Sequence, residues 1–382
     1  MSDIKKDFMK NIGEDAELLK KKKELEVHNV NVKYERYKDN EERHEAIKHT
    51  KFGTISDERA DEIGRESTEY LEKASTPLKF INEEFDHKVP FFEKNLILIG
   101  ADSGDGKSTA VANMVYSLVC RKDERTGKTR RVLVITNEEN IADFYNRVTC
   151  LFKNIPYKDH DQFTPDQREM FAKMIKVWKN RLTIVDDTFG STKDRTVTGA
   201  TTTPEGIKAI FENLIKDGEH YDAILIDYYQ GVNESSLDMT LDEYKSQRKL
   251  TNILEHYRKI YPAPIILMCQ VNKDDPEKPT PMKYRIMGTK LIYTRATYVL
   301  EMVKHAKLMM TEWVIHKGRF AALGQSIKTG FEKGMYVPYT AEFSAKIAAS
   351  SERADDLEFN KKIGLKVGEA EKPKVPEEVK NE

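Results

Sequence analysis

The segment that most restricts what this chain can fold into runs Asn95-Leu-Ile-Leu-Ile-Gly-Ala-Asp-Ser-Gly-Asp-Gly-Lys-Ser-Thr109. Its unbroken apolar run suits a strand buried on both faces, which requires helices on either side of a sheet. A turn of small residues follows, and then apolar side chains at Val111, Met114, Val115 and Leu118, the spacing of one helical face. Strand, Gly-rich turn and helix in that order form a Walker A loop. There, small side chains let consecutive backbone N–H groups converge on a phosphate, and the helix adds its positive amino-terminal end. Gly104 and Gly106 permit the bend. The candidate nucleotide-binding set is therefore Gly100, Ala101, Asp102, Ser103, Gly104, Asp105, Gly106, Lys107, Ser108 and Thr109. Lys107 supplies the charge that reaches the β- and γ-phosphates, and the Ser108 hydroxyl joins the oxygen shell of a Mg²⁺ ion. Ala101 stands where the strict pattern has glycine, with Gly100 one place earlier.

Short β-branched runs then alternate with longer amphipathic segments, at residues 96–99, 132–135, 182–185, 223–226 and 264–268. That rhythm predicts an α/β fold with a mainly parallel central sheet and crossover helices. Beyond residue 298, runs at 298–303, 312–316 and 326–328, with turns at Lys317-Gly318 and Lys333-Gly334, predict antiparallel edge strands. With 382 residues, 39% of them hydrophobic, the chain suffices for one large core and a smaller appendage. The predicted division is a charged, mostly helical appendage at 1–76, the nucleotide-binding domain at 77–345, and a disordered charged tail at 346–382. The lysine run at 20–23 lies among acidic residues and reads as a solvated helix face. No internal repeat is evident.

A phosphate loop needs partners at the ends of neighbouring strands to hold the metal, polarise water and sense the γ-phosphate. The run Tyr221-Asp-Ala-Ile-Leu-Ile-Asp227 is a strand ending in a carboxylate, which makes Asp227 the candidate Walker B metal ligand beside Ser108. The strand Arg131-Val-Leu-Val-Ile-Thr-Asn-Glu-Glu139 ends in two acids, either of which could orient the attacking water; Glu138 is the candidate base. Gln270, closing Ile265-Ile-Leu-Met-Cys-Gln, can sense the γ-phosphate with a neutral amide.

Charge narrows the partners. Lys and Arg number 63 against 64 Asp and Glu, so any nucleic-acid site must be local. Cys120, Cys150 and Cys269 fall in no CxxC or Cys/His spacing, which predicts neither disulfides nor zinc and suits a reducing cytoplasm. The amino-terminal MSDIKKDFMK lacks the apolar run of a signal peptide, and the apolar stretches are strand-sized, so membrane insertion is not expected.

Taken together, these motifs resemble the helicase domain of the DnaB-type replicative helicases, a branch of the RecA-like ATPases, over residues 78–339. Gly100-Ala101 is similar to the start of that family's phosphate loop, and Thr136-Asn137-Glu138 to its Ser-Leu-Glu. Asp186-Asp187 with Thr203-Pro204-Glu205, Ile226-Asp227-Tyr228-Tyr229-Gln230, and Cys269-Gln270-Val271-Asn272 match further family segments. The resemblance implies a RecA-like core, Mg²⁺-dependent ATP hydrolysis, and a homo-oligomer, normally a hexameric ring, threaded by single-stranded DNA. It also gives Lys317-Gly318-Arg319 the role of the family's Lys-x-Arg, whose cations reach a neighbour's γ-phosphate. It further implies the cytoplasm of a bacterium or a phage-infected host, with a loader or replication protein met through the amino-terminal region. The region before residue 77 is short and polar for the family's folded amino-terminal domain, although 66–74 suits a linker helix. The loop at 190–202 is longer than the family pattern.

In that family, DNA touches the loops after the fourth and fifth core strands. Here the loop at 231–242 is acidic, whereas 272–290 offers Arg285 and Lys290 as candidate phosphate contacts. Two other readings stand beside the helicase: a RecA-like recombinase or recombination mediator, and a ring-forming regulatory ATPase that binds proteins and no DNA.

Overall fold

The computed structural model describes residues 56–74, 78–120, 122, 127, 129–157, 162–186, 202–231, 243–274, 277–318 and 323–350. The lysine run at 20–23, the loop at 190–201 and the tail from 351 lie outside them. Helix α1 (Asp57–Ala74) contains the expected linker segment but begins earlier, with Asp57 and Glu58 in its first turn, where acids complement the helix dipole. No helix among the described residues is long and apolar enough to cross a membrane.

After the short helix α2 (Glu83–Lys88), the nucleotide-binding unit is built on one sheet in the order β3-β2-β4-β5-β1-β6-β7-β8-β9. Five strands, β1 (Leu96–Ala101), β2 (Val132–Thr136), β3 (Leu182–Val185), β4 (Ala223–Asp227) and β5 (Ile265–Gln270), pair in parallel. The predicted runs thus form strands. Alternation explains how both faces are buried. Ile97, Ile99, Val132 and Val134 enter one core with α3 (Lys107–Cys120), α4 (Ile141–Lys153) and α5 (Pro165–Trp178). Leu96, Leu98, Leu133 and Ile135 enter the other with α6 (Pro204–Lys216) and α7 (Glu243–Ile260). Each such side chain contributes about 1.5–3 kcal/mol, and the two helical layers are what remove it from water.

The carboxyl-terminal half departs from the sequence expectation in direction and extent. Past the short helices α8 (Met282–Arg285) and α9 (Leu291–Arg295), β6 (Tyr298–His305) pairs in parallel with β1 and antiparallel with β7 (Met310–Lys317), so it is a pivot rather than an antiparallel edge strand. Strands β8 (Ser326–Glu332) and β9 (Met335–Pro338) complete the sheet. Their two-residue turn has φ 50° at Lys333 and 86° at Gly334, the twist that closes a tight hairpin. The chain does not become a tail at 346, because residues 341–350 are helical. Phe343 packs over Gly330, where a Cβ would meet its ring at 2.7 Å, so the missing side chain makes the seat for this helix.

One buried amide joins the two halves. Asn113 of α3 donates to the carbonyls of Thr109 and Gly334, both at 2.9 Å, and accepts from the Tyr336 N–H at 3.1 Å. The helix of the phosphate loop is thereby fastened to the last hairpin. Asn113→Leu should destabilise the protein by about 2–3 kcal/mol, because two backbone groups of the hairpin lose their partner in a buried place. Urea unfolding measures it, and a loss below about 0.5 kcal/mol contradicts the clamp.

Candidate active site

The chain runs from central β1 out to β2 and β3 and then returns through β4 and β5, placing a topological switch point at the carboxyl end of β1. Register brings the functional positions level: Ala101 pairs with Gln270, and Thr136 with Asp227. The loop itself bends through Gly104 at φ 82° and Gly106 at φ 93°, a conformation that other residues adopt only under strain. Gly100 has a separate reason to be glycine, since a Cβ there would lie 2.3 Å from Met282 Cε and 2.8 Å from Val271 Cγ1.

Lys107 is buried with 7% exposure, and its ammonium donates to the Asp102 carbonyl at 3.1 Å, inside the loop. Ser108 Oγ donates to Glu138 Oε2 at 3.1 Å. Asp227 is 1% exposed, and its Oδ1 has no hydrogen-bond partner among the described residues. Burial, and then the charge of Glu138, push the Asp227 carboxyl up to about 7, against the opposing influence of the Ser108 hydroxyl and Lys107. An orphaned buried carboxylate oxygen, a hydroxyl and a second carboxylate form an oxygen donor set that suits a small hard cation. The residues fit Mg²⁺ held by Ser108 and Asp227, where the ion would draw charge from phosphate oxygens.

The two acids after β2 are distinguished by their partners. Glu139 Oε1 accepts from Arg147 Nε at 3.1 Å and Nη2 at 2.7 Å, and the Arg147 guanidinium lies 4.5 Å from the centre of the Tyr157 ring. Glu139 is thus engaged in structure, whereas Glu138 is exposed and faces Ser108. Asn137 fixes the end of β4: its N–H donates to Asp227 O, and its amide exchanges hydrogen bonds with the Tyr228 backbone at 3.1 and 3.2 Å.

A comparable bracket aims Gln270. The Gln230 amide accepts from the Gln270 N–H and donates to the Gln270 carbonyl, each at 2.9 Å, and donates to Met287 O at 3.0 Å. Neither Asn137 nor Gln230 is among the residues to which the sequence gives a role. For Asn137 the available signal was an amide directly after a buried strand, where a carboxylate would add charge; Gln230, three residues past the end of β4, leaves no such local signal.

Two expected cations are placed differently from one another. Arg285 is not a surface contact: it is 7% exposed and forms a two-pronged ion pair with Glu301 at 2.7 and 2.6 Å. An arginine on an otherwise polar loop reads as exposed because its buried partner lies on a strand beyond it in sequence. Lys290 is exposed, and its ammonium lies 4.8 Å from the centre of the exposed Tyr284 ring, with Lys283 at 4.7 Å. Lys317 Nζ donates to the carbonyls of Tyr293 (3.4 Å), Thr294 (2.8 Å) and Ala296 (2.6 Å). Arg319 and the acidic stretch at 232–242 lie outside the described residues.

A phosphate loop at the switch point of a layered α/β sheet, with acids and an amide at the adjoining strand ends, defines a P-loop ATPase with a RecA-like core. The family model described as the DnaB-like helicase C-terminal domain matches residues 78–335, about two-thirds of the chain, and the chain belongs to that family. It is an ATP-hydrolysing helicase. Among solved structures it is similar to one described as an ATPase domain (TM-score 0.57, 13% identity, 76% of this chain and 100% of that one). It is also similar to a DnaB-like replicative helicase described with its interactions with primase (TM-score 0.53, 15% identity, 76% and 68%). No curated protein matches it in sequence.

Asp227→Asn separates stability from catalysis. A carboxyl whose pKa is raised on folding supports stability below its unfolded pKa, and that support is lost as pH rises to the folded value, here between the ordinary 3.8 and about 7. Without nucleotide or metal, the asparagine variant should therefore gain on the wild type across that window, reaching on the order of 2–4 kcal/mol by about pH 8, while turnover falls at least about 100-fold. Urea unfolding at several pH values and a Mg²⁺-ATP assay check both halves; equal stability at all pH values contradicts the buried-carboxylate account.

Proposed function

We propose that this chain is a replicative helicase subunit that moves on single-stranded DNA as a ring and hydrolyses ATP between neighbouring subunits. One placement carries the reading. The groups that hold ATP, metal and water lie at the carboxyl ends of β1, β2, β4 and β5, whereas Lys317 lies at the other end of the same sheet. Its ammonium rests on Ala296 O, and the next residue, Thr297, donates to the carbonyl of Leu96, the first residue of β1. The length of β1, about 17 Å, thus separates Lys317 from its own phosphate loop, well beyond the reach of one side chain. A cation so placed can serve a nucleotide only if another copy presents one to it. This agrees with Lys317 and Arg319 as the family's cations acting in trans.

Within a site, Lys107 binds the β- and γ-phosphates, and Glu138 takes the proton of the attacking water. Ser108 and Asp227 hold Mg²⁺, and Gln270 registers the presence of the γ-phosphate on a backbone already fixed by Gln230. On the DNA side, Arg285 is replaced by a different set. Tyr284 is 52% exposed, on the segment that follows β5, with the ammonium groups of Lys283 and Lys290 on its ring. An exposed ring between two cations can stack a base and neutralise the adjoining phosphates.

Arg319→Ala should bind ATP normally and lose about 10³-fold in assembled turnover. Mixing it with Lys107→Ala, which lacks a working phosphate loop, should restore turnover at composite interfaces; mixtures no better than the separate variants would sink action in trans. Tyr284→Ala should weaken oligothymidine binding by about 1–3 kcal/mol, and Lys283→Ala with Lys290→Ala should flatten the salt dependence by about two phosphate contacts. Fluorescence anisotropy over a salt series reads both, and unchanged affinity in both variants removes this surface from the DNA path.

A further inference from the structure

Outside the nucleotide site, three ionisable side chains meet where three parts of the fold join. The Arg285 and Glu301 side chains are 8% and 9% exposed, and His316 Nε2 lies 2.8 Å from Glu301 Oε2. On one side, the loop that leaves Gln270 wraps around the guanidinium. Arg285 Nε donates to Thr280 O at 2.9 Å, and Nη1 donates to Asn272 O at 3.1 Å. Asp274 Oδ1 lies 3.6 Å from Nε and accepts from the Thr280 N–H at 2.8 Å. On the other side is an irregularity in β7. Pairing passes from Leu300 with Ile315 to Val299 with Lys317, leaving His316 as the additional residue of a bulge directly before Lys317. Glu301 stands between them on β6, paired with Gly100 of the phosphate-loop strand.

We propose that Glu301 is a positioning residue that ties the loop after Gln270 to the bulged end of β7, so that the placement of Lys317 follows the state of that loop. This rests on the reading of the chain as a DNA-driven ATPase with cations acting in trans. The coupling is physical. Arg285 cannot move with its loop and leave Glu301 behind, because separating a buried ion pair strands both charges. Glu301 moves with Arg285, and His316 is drawn through its hydrogen bond. A bulge is the part of a strand that can re-aim a side chain without breaking the neighbouring ladder. Single-stranded DNA engaging the loop thereby adjusts the residue next to the bulge, and the loop's link to Gln270 places the same signal beside the γ-phosphate.

The test uses the full-length assembled protein. His316→Phe keeps the ring and its packing but removes the hydrogen bond to Glu301, and His316→Gln retains a donor. Arg285→Met combined with Glu301→Leu deletes the buried pair as a unit. Turnover is measured with and without oligothymidine, alongside oligothymidine affinity and thermal melting. His316→Phe should keep basal turnover and affinity within about twofold and lose at least about fivefold of the stimulation by DNA, which His316→Gln should restore. The double variant should behave like His316→Phe; if it does not fold, the two histidine variants decide. Wild-type stimulation in His316→Phe overturns the proposal, as does a parallel fall in basal and stimulated rates, which marks a merely structural role. A wild-type protein that DNA does not stimulate at all overturns the DNA-driven reading and this inference with it.

Discussion

A carboxylate held almost without water is the constraint around which the rest of this protein is arranged. Asp227 ends a strand whose every residue is buried, and burial together with Glu138 opposes its ionisation. Ser108 and Lys107 compensate only in part, and Oδ1 keeps no partner among the described residues. Such a site favours a cation, and the sheet prevents it from relaxing by moving apart. Strands β1, β2, β4 and β5 are locked by parallel pairing and by helices on both faces, so the acid stays where packing puts it. The neighbours that fix the backbone, Asn137 and Gln230, are amides. Neutral groups can saturate backbone donors and acceptors there without adding to a negative field that already works against Asp227.

The carboxyl-terminal half depends on a change of direction at β6. Because this strand is parallel to β1 and antiparallel to β7, the sheet continues past the nucleotide site without another crossover helix. One consequence is that the last hairpin comes round to α3, where Asn113 holds Gly334 and Tyr336. The phosphate-loop helix is therefore bound at its base to β1 and along its side to residues more than two hundred positions later. Another consequence is polar burial in a place where apolar residues would pack more simply. Glu301 on β6 is matched by Arg285 and His316, which fixes one relative position of the segments carrying them.

What could be read from the sequence follows the range of the interactions responsible. The phosphate loop and the parallel strands were legible because burial on two faces and a Gly-rich turn leave a local pattern. The direction of β6 was not, since nothing within Tyr298–His305 states which neighbour it will meet. The helix at 341–350 depends on Gly330 as a seat for Phe343, a contact between distant positions. Arg285 reads as a surface cation because its partner lies on another element. A signal existed in Glu301, a carboxylate within the apolar run Tyr-Val-Leu-Glu-Met-Val, since a buried acid requires a buried cation. Glu138 was already the candidate from the sequence; what the sequence leaves unseen is Arg147, which engages Glu139 and gives the second acid its structural part.

Parallel strands gather every group that needs precise register at their carboxyl ends, and this leaves the opposite end free of chemistry within a single chain. In the proposed ring, that opposite end is what one subunit offers the next. Lys317 is held there by three carbonyls around the end of α9, a polar cradle that keeps the ammonium ordered before any phosphate arrives. A cation already in place loses little freedom when a neighbour presents its nucleotide, and what it exchanges is a set of neutral acceptors for a charged one, which forms the stronger bond. In such a ring, hydrolysis would depend on how closely two subunits approach, so a motion of one subunit against another would become a change in rate at the site between them.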